Sequence, residues 1–285
     1  MSGYNTPPET TAIAIASGEA KANQRIPAMV VSGFLGGAYI AFGGLLAIVS
    51  TSGVAAHWGG ATSLITGVVF SLGLILVVVG GADLLTGNFM LLPLAVMARR
   101  ITPKKLAVNW VIVTVLNLIG SIAVAYFIAY KTGVIGSHAT DLKHIAAGVD
   151  KTSADAAYER LATIAAGKAH VESHLQVFLR AIGCNWLVCL GVWLAYAAKD
   201  VGGKILGIVF PITAFVALGF DHVVANMFFL PLALFAGVPD VTFGNTVLNL
   251  IFAFLGNLIG AAVFVAGAYW LIYGRAVSQR ADSTT

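Results

Sequence analysis

An acid and a histidine stand side by side in the middle of a stretch that is otherwise apolar. Asp221 and His222 lie within residues 205–235, where most other side chains are hydrophobic. Ionisable groups at membrane depth are costly unless they face a cavity or a partner, so they indicate function more often than structure. The alternative is a histidine that only fastens a helix bundle through hydrogen bonds. We take the pair as a candidate for proton chemistry, because histidine exchanges protons near neutral pH.

The stretch around His222 has a copy earlier in the chain. An acid, an amide and a proline recur there at an offset of 138 residues, and a second block recurs further along at an offset of 140. The matched polar pairs are Asp83 with Asp221, Asn88 with Asn226, and Asn117 with Asn257. Two blocks of matches at almost one offset predict an internal duplication.

The composition predicts an all-α membrane protein. Of the 285 residues, 59% are hydrophobic and only 10% are charged, and long apolar runs of about 18 residues or more predict transmembrane helices. Six such runs cover about 26–50, 62–97, 105–130, 175–198, 204–236 and 244–273. The second and fifth runs are too long for one plain crossing and carry Gly, Asp and Asn in the middle. They predict broken helices, whose irregular backbone lines a polar cavity.

The basic residues follow a membrane topology and do not suggest a nucleic-acid surface, despite a net charge of +4. They flank the first and sixth runs and fill the second-to-third and fourth-to-fifth connections, whereas 51–61 and 237–243 contain none. The positive-inside rule then puts both termini in the cytoplasm. With six crossings, the two three-helix repeats must be inverted, so that their breaks, with Asp83–Asn88 and Asp221–Asn226, face each other near the midplane.

These features predict one membrane domain with short polar ends. The predicted parts are a cytoplasmic segment 1–25, a six-helix domain 26–274 with repeats at about 26–133 and 174–274, an extracytoplasmic connection 134–173, and a cytoplasmic tail 275–285.

A small weak-acid anion would cross such a path most easily as its neutral acid. Inward-facing apolar side chains would form dry constrictions, where a bare anion pays a large desolvation cost and a neutral acid pays much less. The candidates are Phe70, Leu74, Leu84, Val188 and Phe215. Exposed amides and dipole ends at the helix breaks attract anions, and His222 could then supply a proton. We expect Asp221 to point away from the anion or to cap the following half-helix.

The remaining reactive residues predict neither a cofactor nor an enzyme. His170 and His174 have the spacing of a helical metal pair, but further ligands at a fitting spacing are missing, so a solvated loop is favoured. Cys184 and Cys189 lie inside the fourth helix and are expected to be small packing residues. No serine or cysteine is placed beside a base.

Four motifs together resemble the formate/nitrite transporter family. They are FSLGLIL at 70–76, GGADL at 80–84, CNWLVCL at 184–190, and GFDH at 219–222 with ANM at 225–227. The resemblance extends over all six predicted helices, about 26–274. It implies an aquaporin-like six-helix protomer in a homopentamer within the lipid bilayer. It also implies transport of formate, nitrite or hydrosulfide with the involvement of protons.

The resemblance also assigns roles to single residues. It makes His222 the central histidine and places Thr86 on the loop that breaks the second helix, where it can hydrogen-bond to His222. It makes Asn185 and Asn257 polar partners of the site. The five apolar side chains named above correspond to the constrictions.

Three positions depart from the family pattern. Asp221 stands where several relatives have glutamate, and Leu85 replaces an aromatic residue of some formate channels, which would alter gating. The family's lysine is sixteen residues ahead of the position of Asn185, which is Ala169 here; a one-residue adjustment would assign this role to Lys168. The sequence thus predicts a formate transporter. The alternatives are nitrite or hydrosulfide transport by the same mechanism, or a neutral-solute channel of aquaporin type.

Overall fold

The structure, a computed structural model, describes residues 3–136, 151–275 and 277. Over these residues the chain is almost entirely helical. The helices are α1 Pro7–Ala22, α2 Ile26–Thr51, a short 3-10 helix Ala56–Trp58, α3 Gly60–Gly80, α4 Leu85–Met97, α5 Pro103–Ala123, α6 Lys151–Ala166, α7 His174–Ala197, α8 Val201–Ala217, α9 Val223–Ala236 and α10 Phe243–Ala261. Residues 137–150 of the predicted connection and most of the predicted tail lie outside the described residues.

Several helices contain π-helical turns, which hold one more residue than an α-helical turn. Such turns extend α5 over Val124–Tyr130, follow α6 over Gly167–Val171, and extend α10 over Ala262–Gly267 and Trp270–Gly274. The extended α5 and α10 therefore run to Tyr130 and Gly274.

Within the described part of the chain, five helices are long and apolar enough to cross a membrane. They are Ile26–Thr51, Gly60–Gly80, Pro103–Tyr130, His174–Ala197 and Phe243–Gly274. Three shorter apolar helices, α4, α8 and α9, complete the set. These elements coincide closely with the six apolar runs of the sequence.

The second and fifth runs are each interrupted, as their composition predicted. In the second run α3 gives way to α4 after residues 81–84, and in the fifth run α8 gives way to α9 after residues 218–222. Gly81 and Gly219 adopt φ angles of +84° and +70° at the ends of α3 and α8. Glycine is the residue that tolerates this left-handed conformation without a Cβ clash, so it can stop a helix at the required point.

Helix α1, within the predicted segment 1–25, lies against the bundle. Its residues Ala14 and Ile15 are buried, and the helix contacts α4 and α7. Gly18 allows the closest approach, since a Cβ there would lie 2.1 Å from the carbonyl oxygen of Leu91. The packing brings the C-terminal turn of α1, with Lys21, to the first helix break.

Matched glycines hold the helix pairs of the two repeats together. A Cβ on Gly120 would lie 2.0 Å from the carbonyl oxygen of Phe34, and a Cβ on Gly260 would lie 2.3 Å from that of Ile182. The α2–α5 and α7–α10 pairs are therefore in backbone contact at equivalent positions. In lipid, such small-residue seams replace the hydrophobic effect as the source of helix association.

The Gly260 seam generates a stability prediction. We expect Gly260→Ala to force α7 and α10 apart and to destabilise the protein by about 1–3 kcal/mol, as overpacking usually does. Gly244→Ala is the matched control on the same helix, because its Cβ would have only the Thr242 hydroxyl near it, at 3.9 Å. Thermal unfolding of both variants in one detergent or lipid checks this. An unchanged midpoint for Gly260→Ala would refute the tight seam.

Candidate functional site

His222 forms the N-terminal cap of α9 and bonds across the molecule to Thr86. Its Nδ1 accepts a hydrogen bond from the backbone N–H of Ala225 at 3.1 Å, and its Nε2 lies 2.9 Å from the Thr86 hydroxyl. The imidazole is 2% exposed and Thr86 is fully buried. Thr86 is the second residue of α4 and not a loop residue, so the predicted position on the loop is wrong by a short distance.

This geometry selects one tautomer of the imidazole. Because Nδ1 accepts from a backbone N–H, it carries no proton, and a neutral ring must then hold its proton on Nε2. That proton points at the Thr86 oxygen. The Thr86 hydroxyl is then free to direct its own hydrogen elsewhere, so the pair can present a hydrogen-bond donor to a third group.

Four side chains form a closed polar network at the second break. Lys168 Nζ lies 2.7 Å from Asp221 Oδ1, and Asn226 Nδ2 donates to the same oxygen at 2.9 Å. Asn226 also donates to Asn249 Oδ1 at 2.8 Å, and Asn249 donates to the Lys168 carbonyl at 2.9 Å. Asp221 thus directs Oδ1 at Lys168 and Asn226, and the expectation that it points away from the anion stays a prediction. Capping of α9 by Asp221 is not seen, because His222 does it.

The first break carries the same network. Lys21 Nζ lies 2.8 Å from Asp83 Oδ1, and Asn88 Nδ2 donates to that oxygen at 2.8 Å. Asn88 also donates to Asn109 Oδ1 at 2.8 Å, and Asn109 lies 3.4 Å from the Lys21 carbonyl. The duplication in the sequence is therefore a duplication of contacts.

One further asparagine stabilises the backbone of each break: Asn117 at the first and Asn257 at the second. Asn117 accepts from the Leu85 N–H and donates to the Asp83 carbonyl, and Asn257 accepts from the Val223 N–H and donates to the Asp221 carbonyl. These amides satisfy the first backbone N–H of each following half-helix.

Asn257 and Asn185 act as supports rather than as cavity walls. Asn257 also donates to the Ala181 carbonyl at 2.8 Å, so it ties the seam and the break together. Asn185 donates to the carbonyl groups of Thr86, at 3.1 Å, and of Asn257, at 2.8 Å. Asn185 thereby connects both halves of the site and fixes the backbone of Thr86.

Lys168 lies in the π-helical turn Gly167–Val171. It stands seventeen residues ahead of Asn185, one more than in the family pattern. A π-helical turn accommodates one extra residue relative to an α-helix. From this turn the ammonium group of Lys168 reaches Asp221. The role of Lys168 as the family's lysine stays a prediction.

One side of His222 opens into a cavity of about 290 Å³, here called the histidine cavity. Phe70 and Phe215 lie in its wall near His222, with their ring centroids 5.8 Å apart in an edge-to-face contact. The wall of this cavity also contains three basic side chains and one acidic side chain. They are Arg160, Lys168, Arg180 and Glu172.

Two of these charged groups lie outside the membrane-spanning helices and are affected by burial. Arg160 donates to the hydroxyls of Thr51 and Thr66 at 3.1 and 3.3 Å, and burial lowers the pKa of its guanidinium. Burial and the neighbouring Asp221 charge raise the pKa of Glu172 to about 7. The cavity thus combines basic groups with one acid that titrates near neutral pH.

A second cavity of about 200 Å³, here called the leucine cavity, lies at the first break. Its wall includes Leu74 and Leu84, with Lys21 and Asn88. Of the predicted constrictions, Phe70 and Phe215 therefore flank the histidine cavity and Leu74 and Leu84 flank the leucine cavity. Leu85 and Val188 are buried but line neither of these two cavities.

The structure brings together most of the residues that the sequence singled out, and it adds four charged groups. Lys21 is one of the basic residues before the first apolar run, and the structure pairs it with Asp83, the copy of Asp221. Arg160 and Glu172 come from a polar connection with no periodic signal, and Arg180 lies in α7, within the fourth apolar run. In the described residues, no group of three or more metal-binding side chains occurs, and His174 stacks on Phe252 at 4.7 Å between ring centroids.

Comparison with known proteins identifies the family. A profile of formate/nitrite transporters matches residues 8–271. The chain is 45% identical over 279 residues to an uncharacterized transporter, YrhG, of Bacillus subtilis (strain 168), covering 98% of this chain and 97% of the relative. It is 44% identical over 276 residues to a probable formate transporter of Methanothermobacter thermautotrophicus, covering 95% and 98%.

A solved structure agrees with this assignment. It is described as a pentameric formate channel with formate bound, and it matches with a TM-score of 0.69 and 30% identity, over 86% of this chain and 96% of that chain. The match of the family profile across nearly the whole chain makes this a multi-pass membrane transporter and not an enzyme. The chain belongs to the formate/nitrite transporter family.

Proposed function

We propose that the protein conducts a small monovalent weak-acid anion, with formate as the first choice, and that the anion is protonated beside His222. The Thr86–His222 hydrogen bond carries this proposal, since it holds an exchangeable proton at a side chain that lines the histidine cavity and joins the two half-helices that follow the breaks. The formate-bound structural relative and the probable formate transporter support formate as the substrate class. Nitrite and hydrosulfide are also monovalent anions of weak acids, so they are the alternative substrates by the same mechanism.

The constrictions explain why protonation matters. Phe70 and Phe215 narrow the path next to His222, and Leu74 and Leu84 line it beyond. An anion there would lose its hydration shell with no compensating charge, whereas the neutral acid loses much less. The basic groups of the histidine cavity favour entry of the anion. They attract it up to the point where it must take a proton.

The proton must come from an imidazolium, because a neutral ring that gave up its Nε2 proton would become a strongly disfavoured anion. We propose that His222 takes up a second proton on Nδ1 when an anion is beside it, since the anion offsets the buried positive charge. The Ala225 N–H bond is released at that moment. The anion then receives the Nε2 proton through the Thr86 hydroxyl, which leaves the ring neutral with its proton on Nδ1. The starting tautomer and the Ala225 bond return when Nδ1 releases that proton to the cavity and Nε2 takes one up.

We also propose the membrane arrangement that the sequence predicted. The chain crosses six times, as two inverted three-helix repeats in an aquaporin-like protomer, with both termini and the segment 1–25 in the cytoplasm. The matching networks at the two breaks support the repeats. The histidine cavity then opens on the extracytoplasmic side, next to the connection 134–173. The protomer assembles as a homopentamer, as in the pentameric relative.

Uptake of labelled formate into proteoliposomes, across a pH series, tests the proposal. We expect formate uptake to rise with an inward proton gradient and to be only weakly inhibited by nitrite or hydrosulfide. Strong inhibition with little formate flux would keep the pathway but change the substrate. Absence of flux for all three anions, in correctly assembled protein, would refute the function.

Removal of the central imidazole tests the mechanism. We expect His222→Ala to slow formate uptake by about a hundredfold, the usual contribution of a positioned acid–base group, while the oligomer remains intact. His57→Ala is the matched control, because His57 is exposed and outside both cavities. Uptake by His222→Ala with an unchanged pH dependence would contradict the role of the histidine.

The Lys168–Asp221 pair tests anion attraction separately from stability. Lys168→Met should leave a buried unpaired carboxylate and destabilise the protein by about 3 kcal/mol, and it should also reduce uptake. The double variant Lys168→Met/Asp221→Asn should recover most of the stability, because neither charge remains. If uptake recovers as well, the lysine is a structural partner of Asp221 and does not attract the anion. Thermal unfolding and formate uptake of both variants make the comparison.

A further inference from the structure

Glu172 lies in the wall of the histidine cavity, and the transport mechanism above gives it no role. Its side chain is 12% exposed, and one of its oxygens, Oε1, accepts a hydrogen bond from Arg180. The other oxygen, Oε2, is buried and has no partner of its own. Asp221 shows the same pattern, since Oδ1 binds Lys168 and Oδ2 is buried without a partner.

The two carboxyl groups are neighbours. The neighbouring Asp221 raises the pKa of the Glu172 carboxyl. Two ionised carboxylates have only acceptor oxygens, so a hydrogen bond between them requires a proton on one of them. A proton on this pair would satisfy both of the otherwise unpartnered oxygens at once. An unsatisfied buried carboxylate oxygen is costly, so the arrangement favours proton binding.

We propose that Glu172, in the wall of the histidine cavity, forms a proton-binding site together with the buried Asp221, and that the occupancy of this site sets the positive charge available to an incoming anion. The ligand of this site is a single proton from the solution that fills the cavity. The site is distinct from His222 and does not give its proton to the substrate. The part of the inference that concerns transport rests on the proposed function.

The charged groups around Glu172 are consistent with titration near neutral pH. Burial raises the pKa of Glu172 most, the neighbouring Asp221 raises it further, and Lys168 and Arg180 lower it, with a result of about 7. Arg160 on α6 and His222 at the start of α9 line the same cavity. From α10, the neutral amide of Asn249 contacts the Lys168 carbonyl.

The charge of the cluster follows from its state of protonation. Lys168 and Arg180 balance Asp221 and Glu172 when both carboxyl groups are ionised, so the cluster is neutral above about pH 7. Below that pH the bound proton leaves one net positive charge facing the cavity. The first break has no acid at the position equivalent to Glu172. Glu172 stands four residues after Lys168, whereas the residue four positions after Lys21 is Arg25. The pH sensitivity is therefore confined to one side.

Infrared difference spectroscopy of the full chain in lipid tests proton binding without any substrate. We expect a protonated carboxylic acid band that disappears with a midpoint near pH 7. The band should be absent in Glu172→Gln and present in Glu159→Gln, the matched control, since Glu159 is exposed on α6. A band that persists unchanged in Glu172→Gln would overturn the proposal. If Glu172→Gln does not fold, Glu172→Asp replaces it: the midpoint must shift, and an unchanged midpoint overturns the proposal.

Formate uptake at a fixed internal pH tests the consequence for transport. The external pH is set one unit below and one unit above the Glu172 pKa of about 7. Glu172→Gln resembles the protonated state, so its uptake should equal the wild type at the lower pH and exceed it about threefold to tenfold at the higher pH. Glu159→Gln should follow the wild type at both. Loss of uptake by Glu172→Gln at the lower pH would overturn the inference, because the carboxyl would then be a proton donor.

The two measurements separate this inference from the proposed function. A titrating band that depends on Glu172, together with no anion flux in wild-type protein, would support the proton site and refute the function. Formate flux with no titrating band at Glu172 would support the function and refute the proton site.

Discussion

The structure depends on one constraint: two helices are broken inside an apolar bundle, and the backbone and side-chain polar groups at the breaks must be satisfied without bulk water. Non-helical backbone at this depth is tolerated only where protein groups or a cavity satisfy it. Asn117 and Asn257 perform this task in the two repeats by bonding the first N–H of α4 and of α9. The breaks, and therefore the cavities beside them, exist because these amides are available.

Charge balance is the second part of the same constraint. Asp83 and Asp221 are almost fully buried, and each is held by one lysine from outside its own broken helix. Those lysines come from α1 and from the π-helical turn after α6, so elements that are peripheral in the sequence complete the centre of the fold. In the histidine cavity, Lys168 and Arg180 are each paired with an acid, whereas Arg160 bonds to the hydroxyls of Thr51 and Thr66. Under the proposed function, the charge of Arg160 is therefore available to an anion.

Most of the fold could be predicted from the sequence, because transmembrane helices are recognised by their length and apolar composition. The internal duplication also indicated where both helix breaks lie. The Asp–Asn pairs at 83–88 and 221–226 each bond to one another in the structure. Lys21 and Glu172 could not be assigned in the same way, since a charged side chain in a polar segment has no periodicity that reveals its partner. Their contacts are long-range and depend on how α1 and the turn after α6 pack. The predicted position of Thr86 failed for a smaller reason, because the exact start of a half-helix is set by capping and not by composition.

The caps of α4 and α9 show where the two copies have diverged. Leu84 and His222 occupy equivalent positions, 138 residues apart, and Thr86 is likewise matched by Val224. The Thr86–His222 hydrogen bond therefore joins a residue of the first half to a residue of the second half, and neither residue is repeated in the other half. A homodimer of the first half would contain two leucines and two threonines there, and a homodimer of the second half would contain two histidines and two valines. Neither homodimer could form the mixed pair, so the site requires one copy of each of the two different halves.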